Sequence, residues 1–108
     1  MISPEILSLK KALSELENRL MSASVRDPGF AEIHAVFWSL NDELIRVANE
    51  DIATVRSRMN ETAERIVAEW ESSKESLAPW NDVLSVVSNA LGVVLQAGKL
   101  QNPLTLLL

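Results

Sequence analysis

The sequence predicts an all-α fold, an antiparallel four-helix bundle with a short apolar C-terminal tail, and three observations carry that prediction. Apolar residues recur at steps of three and four, the period of one face of an α-helix. The few glycines and prolines, three and four of them, lie, Gly92 apart, at or near the points where that rhythm stops. With 108 residues, 47% of them hydrophobic and 23% charged, the chain has the size and composition of one globular domain, residues 1–108.

Ser3-Pro4-Glu5 opens the first helix. Serine is a good N-cap, proline suits the first helical position, and an acid favours the positive end of the helix dipole. Ile2 and Leu7 have the spacing of a hydrophobic staple. Ile6, Leu9, Leu13, Leu16 and Leu20 form the seam of a helix over 4–22, with Glu15 and Arg19 as an expected i,i+4 ion pair. Asp27-Pro28 signals a second start, and Phe30, Ile33, Phe37, Leu40, Leu44 and Val47 form the seam of a helix over 28–48.

The rhythm slips after Val47, and the next apolar residues are Ile52, Val55, Met59, Ile66 and Trp70. One helix from 28 to 76 would be about 75 Å long, against a radius of gyration near ~13 Å for a domain of this size. A break at 48–51 is therefore preferred, with Asn49 as a left-handed C-cap and Asp51 capping a third helix over 52–76. The alternative is one long helix used for dimerisation. Ala78-Pro79 and Gly98 bracket a fourth helix over 79–98.

That last helix is unusual, because no charged residue occurs between Val83 and Gly98. On a helical projection Asn81, Ser85, Ser88, Asn89, Gly92, Gln96 and Lys99 share a polar arc of about 120°, which leaves an apolar arc of some ~240°. An outer helix of a bundle needs an apolar arc nearer ~100–140°. The surplus, with the leucine-rich tail 99–108, predicts burial against the bundle, a second copy or a partner. The expected interface comprises Leu84, Val87, Leu91, Val94, Leu95, Leu104 and Leu106, together with Trp38. Trp38 joins it because Phe37 already holds the seam and Trp38 points about 100° away. Trp70 and Trp80 are expected in the core and at one end of the bundle.

Function is constrained mainly by exclusion. The net charge of −5, with ten basic residues scattered among fifteen acidic ones, argues against nucleic acid and an anionic membrane surface. There is no cysteine for thiol chemistry or disulfides. The N-terminal residues MISPEILSLKK carry no basic n-region or apolar core of a signal peptide, so a cytoplasmic setting is expected. His34 is the only histidine, four residues after Phe30 and four before Trp38; with Ala31 three residues earlier it lacks the Glu-x-x-His of di-metal bundles. Asp42, Glu43, Glu50 and Asp51 read as a solvated helix face. No nucleophile elbow, P-loop or dinucleotide fingerprint occurs.

The expectation is therefore a non-enzymatic protein–protein interaction module, self-associating, that acts as adaptor, chaperone-like cover or inhibitor of a partner protein. No cofactor, metal or small-molecule substrate is expected. The alternatives are a membrane-associating bundle that uses segment 83–108, and an N-terminal signalling or oligomerisation module of a longer chain.

Overall fold

The computed structural model describes residues 3–108, so the Ile2–Leu7 staple falls partly outside the described residues. Among these residues the fold is all-helical. It consists of α1 (Pro4–Met21), α2 (Phe30–Arg46), α3 (Ile52–Trp70), the single turn α4 (Lys74–Leu77) and α5 (Asn81–Ala97). Short 3₁₀ turns flank α4, and a final one covers Pro103–Leu107. The longest dimension is 39 Å, so the 28–76 stretch does not run as one helix.

The ends of the helices follow local chemistry, with several corrections to the expected boundaries. Ser3 caps α1 through its hydroxyl, which accepts the Ile6 N–H at 3.3 Å. Asp27 does not start α2; its carboxylate accepts the Ser24 N–H at 3.1 Å and closes the preceding turn. The N-cap is Gly29, at φ 80°, where a side chain would collide with the Ser76 carbonyl and the Trp80 ring. α2 stops at Arg46 without a left-handed Asn49, and Asp51 caps α3 by accepting from the Thr54 N–H at 2.9 Å and hydroxyl at 3.0 Å.

α3 ends at Trp70 instead of 76, as the poor helix formers Ser72 and Ser73 pass into 3₁₀ geometry. α5 ends in a Schellman motif: Leu100 N–H bonds to Leu95 C=O at 2.8 Å and Lys99 N–H to Gln96 C=O at 2.9 Å. The left-handed residue is Lys99, at φ 61°, and not Gly98. Gly98 serves another purpose. A β-carbon there would lie 2.8 Å from Cδ of Arg56, whose Nε donates to the otherwise orphaned carbonyl of Val94 at 3.0 Å.

The regular four-helix bundle is corrected in its packing as well. α1 lies along α5 and meets α2, while α2 lies along α3. The other main neighbour of α3 is the C-terminal 3₁₀ turn, and α3 and α5 approach each other only narrowly. Leu104 and Leu107 of that turn are fully buried, each worth about 1.5–3 kcal/mol relative to exposure. Asn102 fastens the turn to α5: its Nδ2 donates to the Ser88 carbonyl at 2.7 Å and hydroxyl at 3.1 Å, while its Oδ1 accepts the Leu104 N–H at 3.1 Å.

Because the tail seats on Ser88, α5 is rotated by roughly a quarter turn from the projection. Ser88 is buried, and the half-exposed faces belong to Val86 (41%) and Val93 (54%). The other end of the molecule is closed by Trp80, which is buried, donates its indole N–H to Pro28 C=O at 2.8 Å and meets Phe30 edge-on at 6.2 Å. The guanidinium of Arg19 sits 4.5 Å from the Trp80 ring, so Arg19 makes a cation–π contact instead of the expected pair with Glu15.

Two predictions follow from this wiring. Replacing Asn102 with alanine removes the partner of the buried Ser88 hydroxyl and loosens the tail, and should lower stability in urea melts by about 1–3 kcal/mol. The bonds from Thr54, the backbone N–H first and the hydroxyl second, hold the Asp51 carboxyl below the usual aspartate range. A pKa depressed by folding contributes stability above the unfolded value and loses it as pH falls through the folded one. Acid titration of the melting temperature should thus have a shallower acid limb in Asp51→Asn, which keeps a capping oxygen, than in the parent chain.

Candidate functional site

The side chains expected to form an interface separate into two groups. Leu84, Val87, Leu91, Val94 and Leu95 of α5 and Leu104 of the tail are fully buried within the single chain. They form its core with Leu9, Leu13 and Leu16 of α1, Ile33 and Leu40 of α2, and Met59 and Ile66 of α3. Of the three kinds of cover expected for them, the bundle and tail of their own chain are the one seen within a single copy. Trp38 (49%) and Leu106 (53%) remain exposed, on different elements.

Trp38 stands on the outward face of α2, a position set by the seam. Ile33, Val36, Phe37, Leu40 and Leu44 turn inward, which leaves His34, Trp38 and Ile45 outward at helical spacing. The indole N–H of Trp38 donates to Nε2 of His34 at 2.9 Å. An indole nitrogen only donates, so Nε2 of His34 is the acceptor in this bond. His34 in turn stacks on Phe30, with ring centres 6.0 Å apart and planes 19° apart, and Phe37 meets Trp38 edge-on at 5.5 Å. The result is a ladder of rings one helical turn apart, with Trp38 at its end.

Two shallow grooves, each of about 240 Å³, flank Trp38. The first is apolar and runs toward the end of α1, lined by Leu20, Met21, Phe30, His34, Phe37 and Trp38 with Glu17 as its one carboxylate. Met21 is 78% exposed at its mouth. The second is polar and lined by Ser39, Asp42, Glu43, Arg46 and Arg65. Glu43 is not part of a solvated face, as the sequence had implied. It is buried between α2 and α3, with Nε of Arg58 3.2 Å from its carboxylate. The exposed Arg46–Asp42 pair at 3.7 Å adds little.

Met21, Phe30, Ile45 and Glu17 were missed as surface features by sequence reasoning. The spacing of Phe30, His34 and Trp38 is legible in the sequence; the approach of Met21 and Glu17 from α1 is a tertiary fact. Among the described residues no group of three or more His, Asp or Glu side chains is placed to hold a metal ion. No helix among them is long and apolar enough to cross a membrane. No protein family, characterised protein or solved structure matched this sequence.

The contrast between two tryptophans can be measured. Trp38→Ala should cost about 1 kcal/mol or less in a urea melt, because half the ring already faces water. Trp80→Ala, which empties a buried site and strands the Pro28 carbonyl, should cost about 3–5 kcal/mol.

Proposed function

We propose that this protein is a non-enzymatic binding module that presents the outer face of α2 to a partner protein, as an adaptor, cover or inhibitor. In this reading α1, α2, α3 and α5 act as one antiparallel bundle, a rigid platform, in a cytoplasmic setting. The observation that carries it is the half-exposed Trp38, held in place by His34 and flanked by two grooves. Tryptophan is enriched where partners dock because it offers a large apolar plate at small entropic cost. Here the plate is pre-organised: the indole donor is already satisfied within the helix, so docking on the ring leaves no polar group stranded.

The earlier expectation of self-association through α5 and the tail moves to second place, since those leucines are occupied inside the chain. What α5 still offers is the narrow ridge of Val86 and Val93. A photo-crosslinking residue placed at Trp38, and in a separate variant at Val93, separates the two readings in cells that express the chain. The proposal expects a discrete adduct with a different protein from position 38 and none from position 93. A homodimer adduct from position 93, with position 38 silent, would favour self-association instead.

A further inference from the structure

The apolar groove beside Trp38 has a composition that points to one kind of occupant. Its walls are the rings of Phe30, His34, Phe37 and Trp38 with the side chains of Leu20 and Met21, and its one acidic side chain is Glu17. At about 240 Å³ it is smaller than the ~300–1,000 Å³ range of small-molecule pockets, and it suits a single long side chain. Glu17 has no cation of its own: the positions one turn away on α1 are Leu13, Ser14, Leu20 and Met21. Arg19, the nearest basic residue on that helix, is engaged on the far side by the Trp80 ring at 4.5 Å. Among the described residues Glu17 forms no ion pair.

We propose that this groove receives the guanidinium side chain of an arginine on the partner protein, stacked on the aromatic rings and paired with Glu17. Three properties favour arginine over other occupants. Its planar guanidinium stacks on aromatic faces and pairs with a carboxylate in the same pose. A cation laid over the face of an indole is attracted by the ring even at an exposed site. The net charge of −5 draws a basic segment toward the surface. Lysine, a strongly hydrated point charge, gains less from flat rings. The contact of Arg19 with Trp80 shows the same pairing already in use inside the fold.

This inference rests on the reading of α2 as the docking face, and the two are tested separately. ¹⁵N-labelled protein is titrated with Nα-acetyl-arginine amide, and in parallel with the uncharged citrulline analogue, while the three indole N–H signals are followed. Arginine should shift the Trp38 signal saturably at millimolar concentration, with citrulline at least fivefold weaker and the Trp80 signal unmoved. Glu17→Gln should weaken arginine about fivefold and leave citrulline unchanged, whereas Glu15→Gln on the exposed side of α1 should change neither. Unmoved Trp70 and Trp80 signals in each variant establish that the fold is intact. Equal binding of arginine and citrulline, or no effect of Glu17→Gln, would overturn the arginine assignment. A crosslinked partner at position 38 together with that result would leave the binding module standing and remove only its cationic ligand.

Discussion

The carboxamide of Asn102 decides which face of α5 looks inward. Its nitrogen reaches both the carbonyl and the hydroxyl of Ser88, and its oxygen organises the 3₁₀ turn that carries Leu104 and Leu107. A helix with this much apolar surface has several acceptable orientations in a bundle. Seating the tail on its small polar face removes that degeneracy, because burial of Ser88 without a partner would be costly. The consequences spread through the molecule. α1 takes the leucine-rich side of α5, α3 packs on the tail, and Val86 and Val93 are left as a thin outer ridge.

The opposite end depends on Trp80 in a similar way. One buried indole joins the loop before α2, the start of α5 and the end of α1 through Pro28, Phe30 and Arg19. Trp80 and Trp38 are the same side chain put to opposite uses. The donor of Trp80 is spent on a long-range bond that ties elements together; that of Trp38 is spent four residues away on its own helix, which ties nothing together. Such a residue adds little to the fold and holds an apolar plate in fixed orientation at the surface. That difference is the physical basis for the proposal that a partner docks on α2.

Much of the fold was legible in the sequence because it is local. The α1 seam of Ile6, Leu9, Leu13, Leu16 and Leu20 is buried throughout, and the break before Asp51 follows from a slipped period and a capping acid. Trp38 reads as outward once Phe37 is assigned to the core. What stayed hidden is long-range. The projection of α5 assigned its serines to solvent, since a polar residue signals water unless its partner is known, and Asn102 lies 14 residues from Ser88. Glu43 looked like one of several surface acids because its partner Arg58 stands on another helix. Gly98 marked the end of the fourth helix in the sequence, and its second use, admitting Arg56, depends on a residue 42 positions away. The interface expected at the α5 leucines meets the same limit: an apolar excess shows that something covers it and not which segment does.

Isotope-filtered NMR on an equimolar mixture of labelled and unlabelled protein tests directly whether the tail covers α5 of its own chain. The cross-peak between the Asn102 side-chain amide and Ser88 should appear in uniformly labelled protein and vanish when only contacts between chains are selected. A cross-peak that persists in the filtered spectrum would mean that the tail docks on a second copy. The α5 leucines would then lie in an intermolecular core, contrary to the structure described here.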